Sequence, residues 1–326
     1  MGVVIIGRNE GDRLKRCIRG FLSQDLALDI IYVDSNSSDD SVAFAESKGL
    51  QIINLDMSIP FSAGRARNEG FQALIKRNPA LKYIQFVDGD TDVGTGWLDA
   101  AVTWLDNHSE DAVVWGRRKE LYPEHSIYNA ACDVEWGNTP PGYCPNCGGD
   151  FMARVDAYGE VGGFNPSVVA GEEPELCFRL REQGWKIYRL DHLMTWHDAA
   201  MFTFGQAWQR QVRSGHAYLQ GASMHGGSPE RFNVRQSVRP WIWGGFIPLC
   251  IVGGALVSHW AFVLTLIYPA QMIRMLMYEL RRGSPFPIAI YLAVFNVIGK
   301  FAEIQGQFKF IRNRLTGALP TIIEYK

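Results

Sequence analysis

The start of this chain has no apolar run long enough to serve as a secretory signal. Val3 to Ile6 is followed at once by Asn9, Glu10 and Asp12, so the N-terminal part is expected to stay in the cytosol. An excess of positive charge is also missing: 32 Lys and Arg stand against 34 Asp and Glu, a formal charge of −2. That balance gives no reason to expect a nucleic-acid partner. The six cysteines, without secretory context, argue for free thiols over a disulfide framework. Cys144 and Cys147 form a C-P-N-C, but no second C-x-x-C follows and Cys132 is unsuitably spaced, so a loop with two free thiols is expected there and not a zinc site. No glycine-rich phosphate loop follows the first apolar run, which argues against a nucleotidyltransferase. Charge itself nearly vanishes late in the chain, where Arg274 is the one formal charge among the 38 residues from Trp241 to Tyr278.

What is present is an alternation. Residues 3–6 (VVII), 30–33 (IIYV), 51–55 (QIINL) and 83–87 (YIQFV) are short β-rich runs, separated by stretches with helical spacing such as Leu14, Cys17, Ile18 and Phe21. That pattern predicts an α/β fold with a doubly wound, mostly parallel sheet, whose ligands bind beyond the carboxyl ends of the strands. Polar residues collect at three of those ends: "GRNEGD", "DSNSSDDS" and "DGDTD". A helix over 97–105 and a strand over 112–115 follow. Residues 117–170 read as irregular, and a helix and a strand are expected across "GEEPELCFRLREQGWKIYRL".

The triplet Asp88, Asp90 and Asp92 crowds carboxylates that repel one another unless a cation neutralises them. Hard oxygen ligands suit Mg2+ or Mn2+. An acidic turn is the competing reading of the triplet alone.

From residue 230 on, 11 Lys and Arg stand against 4 Asp and Glu, leaving 21 against 30 before it. An acidic soluble part therefore precedes a basic, apolar tail. Residues 241–278 are long enough for two short membrane crossings, and the 14 apolar residues 286–299 suit an interfacial segment better. Arg231, Arg235 and Arg239, then Arg281 and Arg282, then Lys300, Lys309, Arg312 and Arg314 flank these runs. Two crossings would put all three basic groups on one face, as the positive-inside rule prefers. "FGQAWQRQVRSGHAY" reads as a basic amphipathic helix on the membrane surface.

Together these motifs resemble the family 2 glycosyltransferases of the GT-A fold, specifically bacterial members with hydrophobic C-terminal segments. The likeness covers residues 2–215 well and the tail in general character. It implies a Rossmann-like GT-A catalytic domain over 1–229, with a nucleotide-sugar half (1–116) and an acceptor half (117–229), then a membrane-associated helical region over 230–326. The implied activity is inverting, metal-dependent sugar transfer from a nucleotide-sugar donor (a UDP- or GDP-sugar) to a lipid-linked or growing glycan acceptor. The catalytic domain would face the cytoplasm from the cytoplasmic membrane. A polyprenyl-phosphate glycosyltransferase and a non-catalytic scaffold of a polysaccharide assembly complex are the alternatives.

The roles that the resemblance implies follow the motifs. Arg8, Asn9 and Glu10 would grip the base and ribose, and Asp34 and Ser35, heading the "D-x-x-S-x-D" stretch, would read the nucleobase. Arg67 and Asn68 match A-R-N-x-G near the diphosphate. Asp88 and Gly89 are expected near the ribose, Asp90 on the metal with His197 as a further ligand, and Gly149 and Asp150 on the acceptor side. "GEEPELC" resembles the "GED-x-D/E-L" motif, which makes Glu173 the catalytic base, a departure from the usual Asp, with Glu172 beside it on the acceptor side. The loose match to Q-x-x-R-W, with Gln206 and Trp208 present but no Trp after Arg210, puts processivity in doubt.

Overall fold

A computed structural model describes residues 1–317; residues 318–326, the end of the expected membrane region, lie outside the described residues. The chain divides into two units. The first comprises residues 1–121 and 136–199, and the second comprises 122–135 and 200 onward.

The first unit is built on the β-branched runs. Strands β1 (Gly2–Gly7), β2 (Asp29–Asp34), β3 (Gln51–Asn54) and β4 (Tyr83–Asp88) form a parallel set in the order β3-β2-β1-β4. Val3, Val4, Ile5, Ile31, Tyr32, Val33, Phe86 and Val87 are fully buried, as expected of strands covered on both faces. Helices α1 (Asp12–Leu22), α2 (Ser41–Ser47) and α3 (Ala63–Arg77) make the crossovers. At Gly70 in α3 an added Cβ would lie 2.5 Å from Val4 Cγ1, so the helix can approach the sheet this closely only with glycine.

Beyond β4 the sheet becomes mixed. After β5 (Thr91–Val93) and α4 (Trp97–Asn107) comes the long strand β6 (Asp111–Glu120). In the second unit, α5 (Ile127–Gly137) begins; back in the first come β7 (Gly142–Tyr143), β8 (Phe151–Arg154), α6 (Val155–Glu160), α7 (Glu172–Glu182) and β9 (Lys186–His197). Strand β8 inserts antiparallel between β4 and β6, β9 runs parallel to β6, and β5 and β7 pair antiparallel with β9. The parallel half matches the expectation from sequence. The antiparallel additions arise because β8 enters from a loop and not from a crossover helix.

The second unit is helical. It holds α8 (Phe204–His225), whose N-terminus carries a Thr203/Gln206 capping box, and a 22-residue helical span over Val234–Ala255 made of α9 (Val234–Pro240), a π-type stretch Trp241–Phe246 and α10 (Ile247–Ala255). A 3-10 segment, His259–Leu266, leads into α11 (Ile267–Arg281), and α12 (Phe286–Thr316) follows. Three helical stretches, Val234–Ala255, His259–Arg281 and Phe286–Thr316, are long and apolar enough to cross a membrane. The segment expected to be interfacial, 286–299, is the first half of the 31-residue α12. Where α8 crosses α12, a Cβ on Gly215 would sit 2.0 Å from Glu303 O and one on Gly306 1.9 Å from Val212 O. Backbone meets backbone there, as small residues allow.

The boundary between the units falls near residue 200 and not 229, and residues 122–135 go with the helices. Asn129 Oδ1 accepts from Met201 N (3.0 Å), Arg210 pairs with Glu135 (2.7 Å) and Tyr128 packs edge-on to Tyr291. These side-chain partners are distant in sequence, so no local pattern announces them.

Candidate active site

The ends of β1, β2 and β4 lie level, since Gly7 is in register with Asp34 and Ile6 with Asp88. The loops after β1 and β2 are tied together: Asn9 N donates to Ser37 Oγ (2.9 Å), Ser38 N to Asn9 Oδ1 (2.7 Å) and Gly11 N to Asp39 Oδ2 (3.0 Å). Asn9 adopts positive φ, a conformation that asparagine tolerates better than most residues. Its side chain serves this loop junction. Arg8 is exposed beside it, and Glu10 pairs with Arg13 at 2.9 Å. Asp34 is buried, accepting from Tyr32 Oη (2.8 Å) and Ser37 N (2.8 Å), and buried Ser35 donates its N–H to Gly7 O. Burial, followed by the Asp34 charge, raises the Tyr32 phenol, which keeps it a donor to that carboxylate.

Arg67, on the first turns of α3, is the hub. It is 1% exposed, and its guanidinium reaches Asp88 Oδ1 (2.7 Å), Glu173 Oε1 (3.0 Å) and the Gly149 carbonyl (3.2 Å), with the Phe164 ring 5.3 Å away. Burial opposes its charge, but Asp88, Glu173, Glu172 and Asp150 outweigh that and hold its pKa well above the ordinary value. Gly149 leaves little room at this point: a Cβ would lie 3.0 Å from Asp88 Oδ2 and 3.2 Å from Arg67 Nη2, so a larger residue would press on both side chains. Gly89 closes the β4 end, its N–H bonded to Ile6 O at 2.8 Å.

Asn68 faces differently from its neighbour. Its Oδ1 accepts from Tyr158 Oη (2.6 Å) and Phe164 N (2.9 Å), and its Nδ2 donates to Phe164 O (2.7 Å). These bonds fix the segment that carries Phe164 under Arg67. Asp150 is fully buried: Oδ2 pairs with Arg118 (2.7 Å) and accepts from Thr195 Oγ1 (2.8 Å), while Oδ1 accepts from Asp88 N (3.1 Å). With its oxygens so engaged, it braces β4 against β8 and β9, and its geometry is that of a structural support. Burial raises its carboxyl, Arg118 opposes that rise and Asp88 adds to it.

Arg118 is a residue that sequence reasoning missed. Register shifts between β6 and β9 on either side of Arg117 alter the alternation of the strand, as bulges do. Arg117 is thereby turned toward Asp191, while Arg118 meets Asp150 with the Trp136 ring 5.5 Å away. Asp150 lies 32 residues further along the chain, so no local pattern announces this pairing.

Asp88, Asp90 and His197 each present one ligand atom, all within 4.8 Å of one another. Asp90 and His197 are buried, with His197 Nε2 3.3 Å from Asp90 Oδ1 and Trp136 edge-on at 4.9 Å. Two carboxylates and one imidazole suit a hard to borderline divalent cation. Asp92 points elsewhere, its carboxylate 3.4 Å from Arg16. Among the described residues this is the only such group, and Cys144 and Cys147 are free thiols, the latter 3.5 Å from Cys177.

At the start of α7, after Gly171 at φ 74°, three glutamates take different partners. Glu175 is held bidentate by Arg179 at 2.9 and 2.8 Å. Glu172 is buried. Glu173 pairs with Arg67, and its carboxyl is pushed up to about 7 by burial first and then by the Glu172 charge, against the pull of Arg67. A carboxyl near 7 is suited to proton transfer at neutral pH.

The model of the family described as glycosyl transferase family 2 matches residues 2–158. Over those residues the chain is similar to the family 2 glycosyltransferases. Two curated relatives, the pre-mycofactocin glycosyltransferases of two strains of Mycobacterium tuberculosis, are 25% identical over 273 residues, covering 78% of this chain and 51% of their own length. The chain thus spans about half the length of the curated relatives it matches. Among solved structures, a mannosyltransferase from Pyrobaculum calidifontis in complex with GDP-Man and Mn2+ superposes with TM-score 0.64 at 17% identity, over 96% of this chain and 87% of that one. That likeness gives the fold: the mixed sheet is of the GT-A type.

Proposed function

We propose that the chain is an inverting, metal-dependent glycosyltransferase that moves a sugar from a nucleotide-sugar donor to a lipid-linked or growing glycan acceptor at a membrane. The observation that carries this reading is the link from Glu173 through Arg67 to Asp88, which couples a proton acceptor of raised pKa to the cluster suited to a cation. The GDP-Man and Mn2+ of the Pyrobaculum structure support the donor and cation classes, and the three apolar helices support the membrane.

Asp88, Asp90 and His197 would hold Mg2+ or Mn2+, which when bound offsets the negative charge that builds on a departing diphosphate. The chain's own residues do the rest. The acceptor hydroxyl oxygen bonds to the anomeric carbon as the bond from that carbon to the phosphate oxygen breaks. Glu173 takes the hydroxyl proton, and the nucleoside diphosphate leaves with the electron pair. Arg67 fixes the carboxylate of Glu173 and that of Asp88, so that acceptor and donor groups share one anchor. Asp34, with both oxygens already oriented by Tyr32 and Ser37, is set to read a nucleobase, with Arg8 and Glu10 at the same strand ends.

Asp90→Ala is expected to abolish turnover and metal-dependent nucleotide binding, whereas Asp92→Ala, which loses only the Arg16 pair, should leave both nearly intact. Titrating nucleoside diphosphate with and without Mn2+ checks this. Equal loss from the two variants, or full activity after chelation, would overturn the ligand assignment. A phosphate acceptor is already an anion and needs no base, so near-normal turnover of Glu173→Gln would point to a polyprenyl-phosphate acceptor.

A further inference from the structure

Membrane-type helices carry few charges, and here those few converge. Arg274 is the sole formal charge from Trp241 to Tyr278, and Lys300 is the sole one from Phe286 to Ala302. Both line one cavity of about 730 Å³ in the helical unit, together with Arg239 at the end of α9 and Arg281 at the end of α11. Among the described residues no carboxylate lines it. Lys300 is steadied by Glu303 at 2.6 Å, but Arg239, Arg274 and Arg281 have no ion pair among the described residues. An ionisable side chain within an apolar membrane-type helix is costly and is kept where it meets a partner. Four cations around one opening call for an anion.

The rest of the wall says which kind. Gln271 and Asn296 add amide groups, while Trp243, Met275 and Val297 give an apolar side. The walls are braced: Tyr268 Oη donates to Trp243 O (2.6 Å), and Gln307 Nε2 donates to Ser237 O (2.9 Å), fastening α11 and α12 to the helix of Arg239. A free phosphate would use the cations but not the apolar side. We propose that this cavity binds the phosphate or diphosphate headgroup of a membrane lipid, with the first part of its hydrocarbon chain against Trp243, Met275 and Val297. Basic pockets between apolar helices recognise anionic headgroups in this way, and guanidinium groups are apt phosphate ligands because they bind in a bidentate fashion. The inference rests on the membrane and lipid-acceptor part of the proposed function, and it assigns that lipid's anionic group to named residues.

The test uses the full chain in an uncharged detergent, with farnesyl diphosphate, inorganic diphosphate and farnesol as probes and native mass spectrometry or thermophoresis as readout. Farnesyl diphosphate is expected to bind at least about tenfold more tightly than either inorganic diphosphate or farnesol, because each lacks one half of the recognition. Arg274→Gln with Lys300→Gln should weaken farnesyl diphosphate by roughly 100-fold, since two charge-assisted contacts are lost. The solvent-facing single change Arg281→Gln, which carries little folding risk, should weaken it by about tenfold. Metal-dependent nucleotide binding, measured in parallel, should be unchanged in these variants and reports on the catalytic domain separately. Inorganic diphosphate binding as tightly as the prenyl form would overturn the lipid assignment in favour of a free anion. Unaltered affinity in both variants, or no binding of farnesyl diphosphate at all while nucleotide binding persists, would overturn the site while leaving the transferase reading standing.

Discussion

Glu173→Gln is expected to slow sugar transfer by about 10² to 10⁴-fold while donor affinity stays nearly constant. The amide keeps the size and the hydrogen bond to Arg67 but cannot accept a proton. The pH dependence gives the sign. Burial and the Glu172 charge hold the carboxyl at about 7, so below that pH the group is protonated and cannot act as a base. The kcat/KM of the wild type should therefore fall about tenfold per pH unit below 7 and level off above it, and the variant should lose this limb. Glu173→Asp, which draws the carboxylate back by one methylene from its contact at 3.0 Å with Arg67, should also be impaired, though less than Gln. If Glu172→Gln abolished transfer while Glu173→Gln remained active, the base would have to be reassigned. Glu175 is already committed to Arg179, so its substitution should act on stability and not on the pH limb.

Arg67→Met should be the most damaging substitution in the sheet unit. It removes the buried cation shared by Asp88 and Glu173 and leaves both carboxylates without that partner. Breaking a buried pair by deleting one partner costs about 3–5 kcal/mol, which a drop in the thermal midpoint of the purified protein would report. Because Arg67 lowers the Glu173 pKa against the effect of burial, whatever activity survives should have its acidic limb moved to higher pH. Arg67→Lys keeps the charge but not the fork that spans two carboxylates, so it should be intermediate. An unchanged thermal midpoint in Arg67→Met would contradict the hub.

What could be read from the sequence was what depends on local pattern. The runs at 3–6, 30–33, 51–55 and 83–87 became β1 to β4, because β-branched residues buried on both faces announce a parallel sheet. Asp88 and Asp90 stood out because carboxylates crowded at a strand end are anomalous without a partner, and Glu173 stood out only through the resemblance of "GEEPELC" to a family motif. What depends on pairing across distance was hidden. Arg118 meets Asp150 across the sheet from 32 residues away in sequence, and the support role of Asp150 needs Thr195 and the Asp88 amide. The loop-fastening bonds of Asn68 to Tyr158 and Phe164 span about 90 residues or more. Strand β6 runs to Glu120, well past the apolar 112–115 that marked it, since its outer half pairs with β9 through charged residues. In the tail, the apolar count gave the membrane-type character, but only packing distinguishes an interfacial segment from the first half of α12.

Release of nucleoside diphosphate by the purified full chain, across a panel of UDP- and GDP-sugars with and without a chelator, tests the central claim most directly. One donor is expected to give release that depends on Mg2+ or Mn2+ and vanishes in Asp90→Ala. Release from no donor above the Asp90→Ala background, with nucleotide failing to bind in the presence of either cation, would contradict the assignment of a transferase and leave a non-catalytic scaffold as the reading of this fold.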